Sequence, residues 1–137
     1  MKVVIDTNVF VSALIAPTST PAKILQAWRL GRFELLTCAE QLDELRTTTR
    51  YPKVRSRIST LVAGILINEI GKVANTIGKL PRVERSSDPQ DDYLLALAVA
   101  GDANYLVSGD KPGLLALDKI ANAKIVAVRQ FADILGV

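Results

Sequence analysis

Lys2-Val3-Val4-Ile5-Asp6-Thr7-Asn8-Val9-Phe10 is the stretch that decides the fold. The β-branched run Val3-Val4-Ile5 stops abruptly at an acid, a threonine and an asparagine. It does not alternate apolar with polar, so it suits a strand covered on both faces. Asp6 then falls just past the C-terminal end of that strand. In open α/β sheets this edge is where ligands bind.

Outward from there, strand and helix patterns alternate. Val9 to Ile15 reads as a helix ending before Ala16-Pro17. Thr18-Ser19-Thr20-Pro21 reads as a turn into a second helix, with Thr20 as its cap and Pro21 at its first position. Ile24, Leu25 and Trp28 keep helical spacing, and Gly31 stops that helix. Phe33 to Cys38 reads as a strand. Ala39 to Thr48 reads as a helix with Leu42 and Leu45 inward, broken at Tyr51-Pro52.

From Ile58 to Ile77 the apolar positions Leu61, Val62, Ile65, Leu66, Ile70, Val73 and Ala74 keep a helical period, interrupted by Gly64 and Gly71. Lys79 to Ser87 reads as a polar loop with an extended piece around Val83. Asp91 to Ala100 is a strongly apolar helix stopped by Gly101. Tyr105 to Ser108 reads as a strand, Lys111 to Leu117 as a short helix, Lys124 to Val128 as a strand and Gln130 to Leu135 as a closing helix. The alternation predicts an α/β fold: a mostly parallel sheet of about four to five strands with helices on both faces. A chain of 137 residues holds one such domain, 1–137, with a real core.

Composition removes whole classes of chemistry. There is no histidine, which excludes His-based acid–base catalysis, Ser-His-Asp triads and His zinc ligands. The lone Cys38 has no partner for an internal disulfide, which fits a reducing cytoplasm. The start MKVVID lacks the long apolar core of a signal peptide. No apolar run of about 18 residues predicts a membrane span. The net charge is +3 and the isoelectric point about 9.2, mild evidence for an anionic partner. Arg46, Arg50, Lys53, Arg55, Arg57, Arg82, Arg85 and Lys111 lie in segments near the candidate acids. Positive charge to hold phosphates and negative charge to hold metal is what a nuclease needs. The plainer reading is a solvated surface of scattered cations.

Each acid has a plain structural job beside its functional one. Asp6 could cap the helix that follows it, and Asn8 could cap as well or brace a carboxylate. Glu44 sits one residue before the core-facing Leu45, and Glu40 and Asp43 on the same helix are rivals that spacing does not separate from it. Asp88-Pro89 starts a helix, with Asp88 capping. Asp91 falls where a capping-box acid would reach back to the cap. Asp92 has no such job and tops the stripe of Leu95, Ala96 and Val99, where an acid needs a partner that a cation would supply. Asp110 follows Ser108-Gly109, and Ser108 could bond a ligand or merely end its strand. Asp6 and Asp110 both sit at strand-to-helix turns, so the crossover rule brings them to one rim. Four acids from four segments would repel one another without a counter-ion. Carboxylates without His or Cys select hard ions, Mg²⁺ or Mn²⁺, and such a site suits phosphodiester hydrolysis.

The ordered set VVIDTNVFVSALI, FELLTCAEQLDELR, SDPQDDYLLALAVAGDANYLVSGDKPGLLAL and RQFADIL resembles the PIN-domain nucleases, in particular the VapC-like toxins of prokaryotic toxin–antitoxin modules. The resemblance implies a Rossmann-like α/β/α fold and Mg²⁺- or Mn²⁺-dependent endoribonuclease activity. It implies that Asp6, Glu44, Asp92 and Asp110 form the acidic quartet, which decides Glu44 over Glu40 and favours Asp92 over Asp91. Asn8 and Ser108 match supporting polar positions, with Asp88 and Asp91 beside them. Asp6, Asp92 and Asp110 would mainly hold metal, and Glu44 would bind a second metal or orient the water. The implied reaction is in-line attack of water on RNA, leaving a 5′-phosphate and a 3′-hydroxyl. The resemblance also implies an antitoxin partner and a homodimer. The sequence departs from the pattern at IVAVRQF, where relatives often carry Thr-Pro. Two other readings compete: a catalytically idle RNA- or protein-binding module, and a receiver-like phosphoacceptor domain. The second is disfavoured because Asp6 has no neighbouring acid and the second strand ends at Thr37-Cys38.

Overall fold

The computed structural model describes residues 1–86, 88–109 and 112–137. In chain order the elements are β1 (Lys2–Ile5), α1 (Thr7–Ile15), α2 (Thr20–Arg29), β2 (Glu34–Thr37), α3 (Ala39–Thr48), α4 (Pro52–Arg55), α5 (Thr60–Val73), β3 (Asn75–Thr76), a 3₁₀ turn (Pro89–Asp91), α6 (Asp92–Ala100), β4 (Tyr105–Ser108), α7 (Pro112–Leu117), β5 (Lys119–Ile120), β6 (Ala123–Ala127) and α8 (Val128–Leu135).

The strands form one sheet in the order β3-β2-β1-β4-β6-β5. All neighbours pair in parallel except β5 with β6. The order runs one way from β1 through β2 and the other way from β1 through β4. The reversal therefore lies between β1 and β4, where Ile5 pairs with Val107. Two apolar layers sandwich the sheet. Val3, Ile5, Leu35 and Val107 face the side covered by α1, α2, α5 and α8. Val4, Leu36, Leu106 and Ile125 face the side covered by α6. That alternation is the two-residue period of a strand, and burial on both faces explains why the sequence shows a continuous apolar run.

Several boundaries differ from the sequence expectation. Ser19, not Thr20, caps α2: its Oγ accepts from the Ala22 amide at 3.4 Å, and Pro21 moves to the second helical position. The long pattern from Ile58 to Ile77 holds a shorter helix. Ser59 caps it by accepting from the Val62 amide at 3.1 Å, and at Ala74 the backbone turns extended so that 75–76 can pair with β2. Of its apolar positions, Leu66 and Ile70 are buried, whereas Leu61, Val62, Ile65 and Val73 are exposed. The sheet has six strands because two-residue β3 and β5 flank it. α4 was not expected from the sequence. α8 begins at Val128, two residues early, because Gln130 Oε1 accepts from the Ala127 amide at 2.8 Å.

Candidate active site at the sheet's C-terminal edge

Asp6 is fully buried at the end of β1. Its Oδ1 accepts from the Asn8 amide at 3.2 Å, which caps α1. Its Oδ2 accepts from the amide of Gly109, the residue after β4, at 3.4 Å. One carboxylate thus joins both sides of the strand-order reversal. Gly109 fits tightly there: a Cβ on it would lie 3.3 Å from Val9 Cγ2. Ser108 is also fully buried, and its Oγ has no hydrogen-bond partner among the described residues. A buried hydroxyl without a partner is costly. Asn8 is exposed and lines a groove of about 250 Å³ together with Val9, Ser12, Pro21, Gly109 and Val128.

Glu44 is tied to the same edge through a residue that the sequence reading missed. The Tyr93 hydroxyl donates to Glu44 Oε1 at 2.6 Å. Thr7 Oγ1 lies 3.0 Å from the Tyr93 oxygen. Because the tyrosine's single hydrogen goes to Glu44, Thr7 acts as the donor in that second bond. Burial, then the bond to Glu44, push the Tyr93 phenol well above its ordinary value, which keeps it a neutral donor. Thr7 follows Asp6 directly, so two hydrogen bonds connect β1's end to α3.

A second overlooked residue fixes α3 itself. Gln41 is fully buried. Its Nε2 donates to the Ile5 carbonyl at 2.6 Å, and its Oε1 accepts from Thr37 Oγ1 at 2.8 Å. It therefore clamps the ends of β1 and β2 to α3, three residues before Glu44. The signal was available: Gln41 lies four residues before Leu45, on the buried stripe. A polar residue there needs buried partners.

The acids of the third segment separate. Asp92 Oδ1 accepts from the amides of Ser86 (2.8 Å) and Arg85 (3.3 Å). Asp92 therefore does have a structural job, which corrects the expectation: it anchors the end of the preceding loop. Asp91 is the buried member of the pair. Asp88 caps the 3₁₀ turn by accepting from the Gln90 amide at 3.0 Å. Asp110 lies outside the described residues. Among the described residues no three His, Cys, Asp or Glu side chains form a group that could hold a metal ion. Cys38 is buried at the head of α3, and burial pushes its thiol up to about 11.

The groups at the reversal point are oxygens: the Asp6 carboxylate and the Ser108 hydroxyl, which has no partner among the described residues, with Glu44 linked to the same edge through Tyr93 and Thr7. This chemistry fits a hard divalent cation rather than a thiolate- or imidazole-loving one.

The family model for the PIN domain matches residues 2–112. The chain belongs to the PIN-domain family. The uncharacterised protein MJ1680 of Methanocaldococcus jannaschii is 30% identical over 112 residues, which is 81% of this chain and 72% of that protein. Among solved structures, the chain resembles VapBC2 from Rickettsia felis, bound to a DNA fragment from their promoter. The TM-score is 0.58 and the identity 13%, over 93% of this chain and 98% of that one. At that identity the likeness speaks for the fold. Among the described residues no helix is long and apolar enough to cross a membrane.

Proposed function

We propose that this protein is a divalent-metal-dependent endoribonuclease of the cytoplasm that acts as the toxin of a toxin–antitoxin module. The observation that carries this reading is the fully buried Asp6 at the strand-order reversal, joined through the Gly109 amide to the end of β4. Family membership supports a nuclease, and the structural resemblance to VapBC2 supports the toxin role with an antitoxin partner. In this reading Asp6, Glu44, Asp92 and Asp110 are the acidic quartet that holds Mg²⁺ or Mn²⁺. Asn8, Ser108, Asp88 and Asp91 support it, and the protein works as a homodimer. When bound, the ion would supply positive charge beside the scissile phosphate and acidify a water. The chain's own residues do the rest. Tyr93 and Thr7 hold the Glu44 carboxylate in one orientation, and Gln41 holds the helix that carries it. The Gly109 amide holds Asp6.

The test is RNA cleavage by purified protein freed of any partner, with Mg²⁺ or Mn²⁺ added. Asp6→Asn and Asp92→Asn should each abolish cleavage and leave the circular dichroism spectrum unchanged. No cleavage with either ion, together with Asn variants that behave like the parent in cells, would leave a catalytically idle binding module instead.

A further inference from the structure

α3 and α5 form an antiparallel hairpin. Leu42 lies against Gly71 near β2 and β3, and Arg46, Thr49 and Arg50 lie against Thr60, Ala63 and Gly64 at the far end. Charge is distributed very unevenly along it. Between Leu45 and Asn68 the chain carries five cations, Arg46, Arg50, Lys53, Arg55 and Arg57, and no acid. All five are exposed. Arg46 pairs with the exposed Asp43 at 3.0 Å, and the other four make no ion pair among the described residues. Like charges repel, and among the described residues the side chains of these four make no hydrogen bond that would use them in the fold. Among the described residues the one side-chain hydrogen bond to α4 comes from its C-cap Ser56, which donates to the Lys53 carbonyl.

An aromatic side chain sits among these cations. Tyr51 is 54% exposed, beside Arg50 and two residues before Lys53. An exposed ring within a positive field is what single-stranded nucleic acid binds: phosphates follow the cations and bases stack on the ring. An acidic polypeptide would use the charges and leave the ring unexplained. The position also fits. Arg50 lies in the turn two residues past the end of α3, the helix that carries Glu44. One hairpin thus carries a candidate catalytic acid along α3 and a group of exposed cations at its tip.

We infer that the α3–α5 tip, built from Tyr51, Arg50, Lys53, Arg55 and Arg57, binds single-stranded RNA beside the Glu44 edge, a reading that rests on the ribonuclease proposal above. Tyr51 stacks on a base, and the cations hold the phosphates on either side.

The experiment is fluorescence anisotropy of a labelled single-stranded 20-nucleotide RNA with the full-length protein in EDTA, so that no cleavage intervenes. The triple variant Lys53→Gln, Arg55→Gln, Arg57→Gln should flatten the slope of log affinity against log salt by about 2, at about 0.7 per lost phosphate contact. A control triple, Lys2→Gln, Lys119→Gln, Lys124→Gln, removes equal charge from the opposite edge of the sheet and should leave the slope nearly unchanged. Tyr51→Ala should weaken binding about 10-fold, and Tyr51→Phe should restore it. Equal losses in both triples, or RNA binding that survives the tip triple, overturns the inference. So does an unchanged affinity in Tyr51→Ala. Displacement of the RNA by poly-glutamate as readily as by unlabelled RNA would assign the tip to an acidic polypeptide and also overturns it. Binding that behaves as described in a protein that cuts nothing with Mg²⁺ or Mn²⁺ would instead count against the proposed activity alone.

Discussion

Tyr93 shows how much one hydroxyl can organise: it donates to Glu44 and accepts from Thr7. Tyr93→Phe removes both bonds while keeping the ring in place. On the proposed reading the variant should lose about 10-fold in kcat with KM little changed, because Glu44 loses its orientation rather than the protein its substrate. Mn²⁺ affinity, followed by calorimetry, should fall as well, and the melting temperature should drop by only a few degrees. A kcat equal to the parent's would show that Glu44 needs no such support. Cys38 gives a separate residue-scale test. Burial raises its thiol to about 11, so the thiolate is scarce at pH 8. Iodoacetamide should leave the native protein unmodified at that pH and react after denaturation. The sign for stability follows: the folded state favours the neutral thiol, from an ordinary value of 9.0 to about 11. The contribution is full below pH 9 and is lost as pH rises through about 11. A denaturation midpoint that climbs between pH 9 and 11 would contradict it.

At the scale of elements, α6 depends on what precedes it. Asp92 Oδ1 holds the amides of Arg85 and Ser86, so the loop's end is fastened to the first residue of the helix. Asp92→Ala should free it, and trypsin should then cut after Arg82 and Arg85 faster than in the parent. Asp92→Asn keeps an acceptor oxygen and should stay protected, which separates the loop's anchoring from any loss of catalysis. At the other end of α6, Gly101 leaves no room: an added Cβ would lie 2.5 Å from Leu36 Cδ1. Gly101→Ala should therefore cost about 1–3 kcal/mol, read by urea denaturation. α3 was legible from the residues alone: it was expected at Ala39–Thr48 and is found there. The lengths of α2, α5 and α8 were less so, because Ser19, Ser59 and Gln130 supply caps that compete with their neighbours over one or two positions. Tyr93 was not found because its value lies in Glu44, 49 residues away, which no local pattern encodes; Gln41 was overlooked although its place on the buried stripe marked it.

For the whole molecule, the apolar run ending at Asp6 pointed to a mostly parallel sheet, which is the sheet found, and its strand order reverses between β1 and β4. What composition could not supply was the segregation of charge. A net charge of +3 is modest, yet an acid-free stretch of chain concentrates cations at one end of a single hairpin. RNA affinity should consequently fall steeply with salt even though the total charge is small. A measured salt slope near zero would place RNA recognition elsewhere on the surface. β3 and β5 are each only two residues long. A newcomer laid alongside either margin would find a ladder too brief to grip, and Lys119 on one of them adds a charge that repels basic company. Each margin of the sheet is therefore a poor template for extension by another chain.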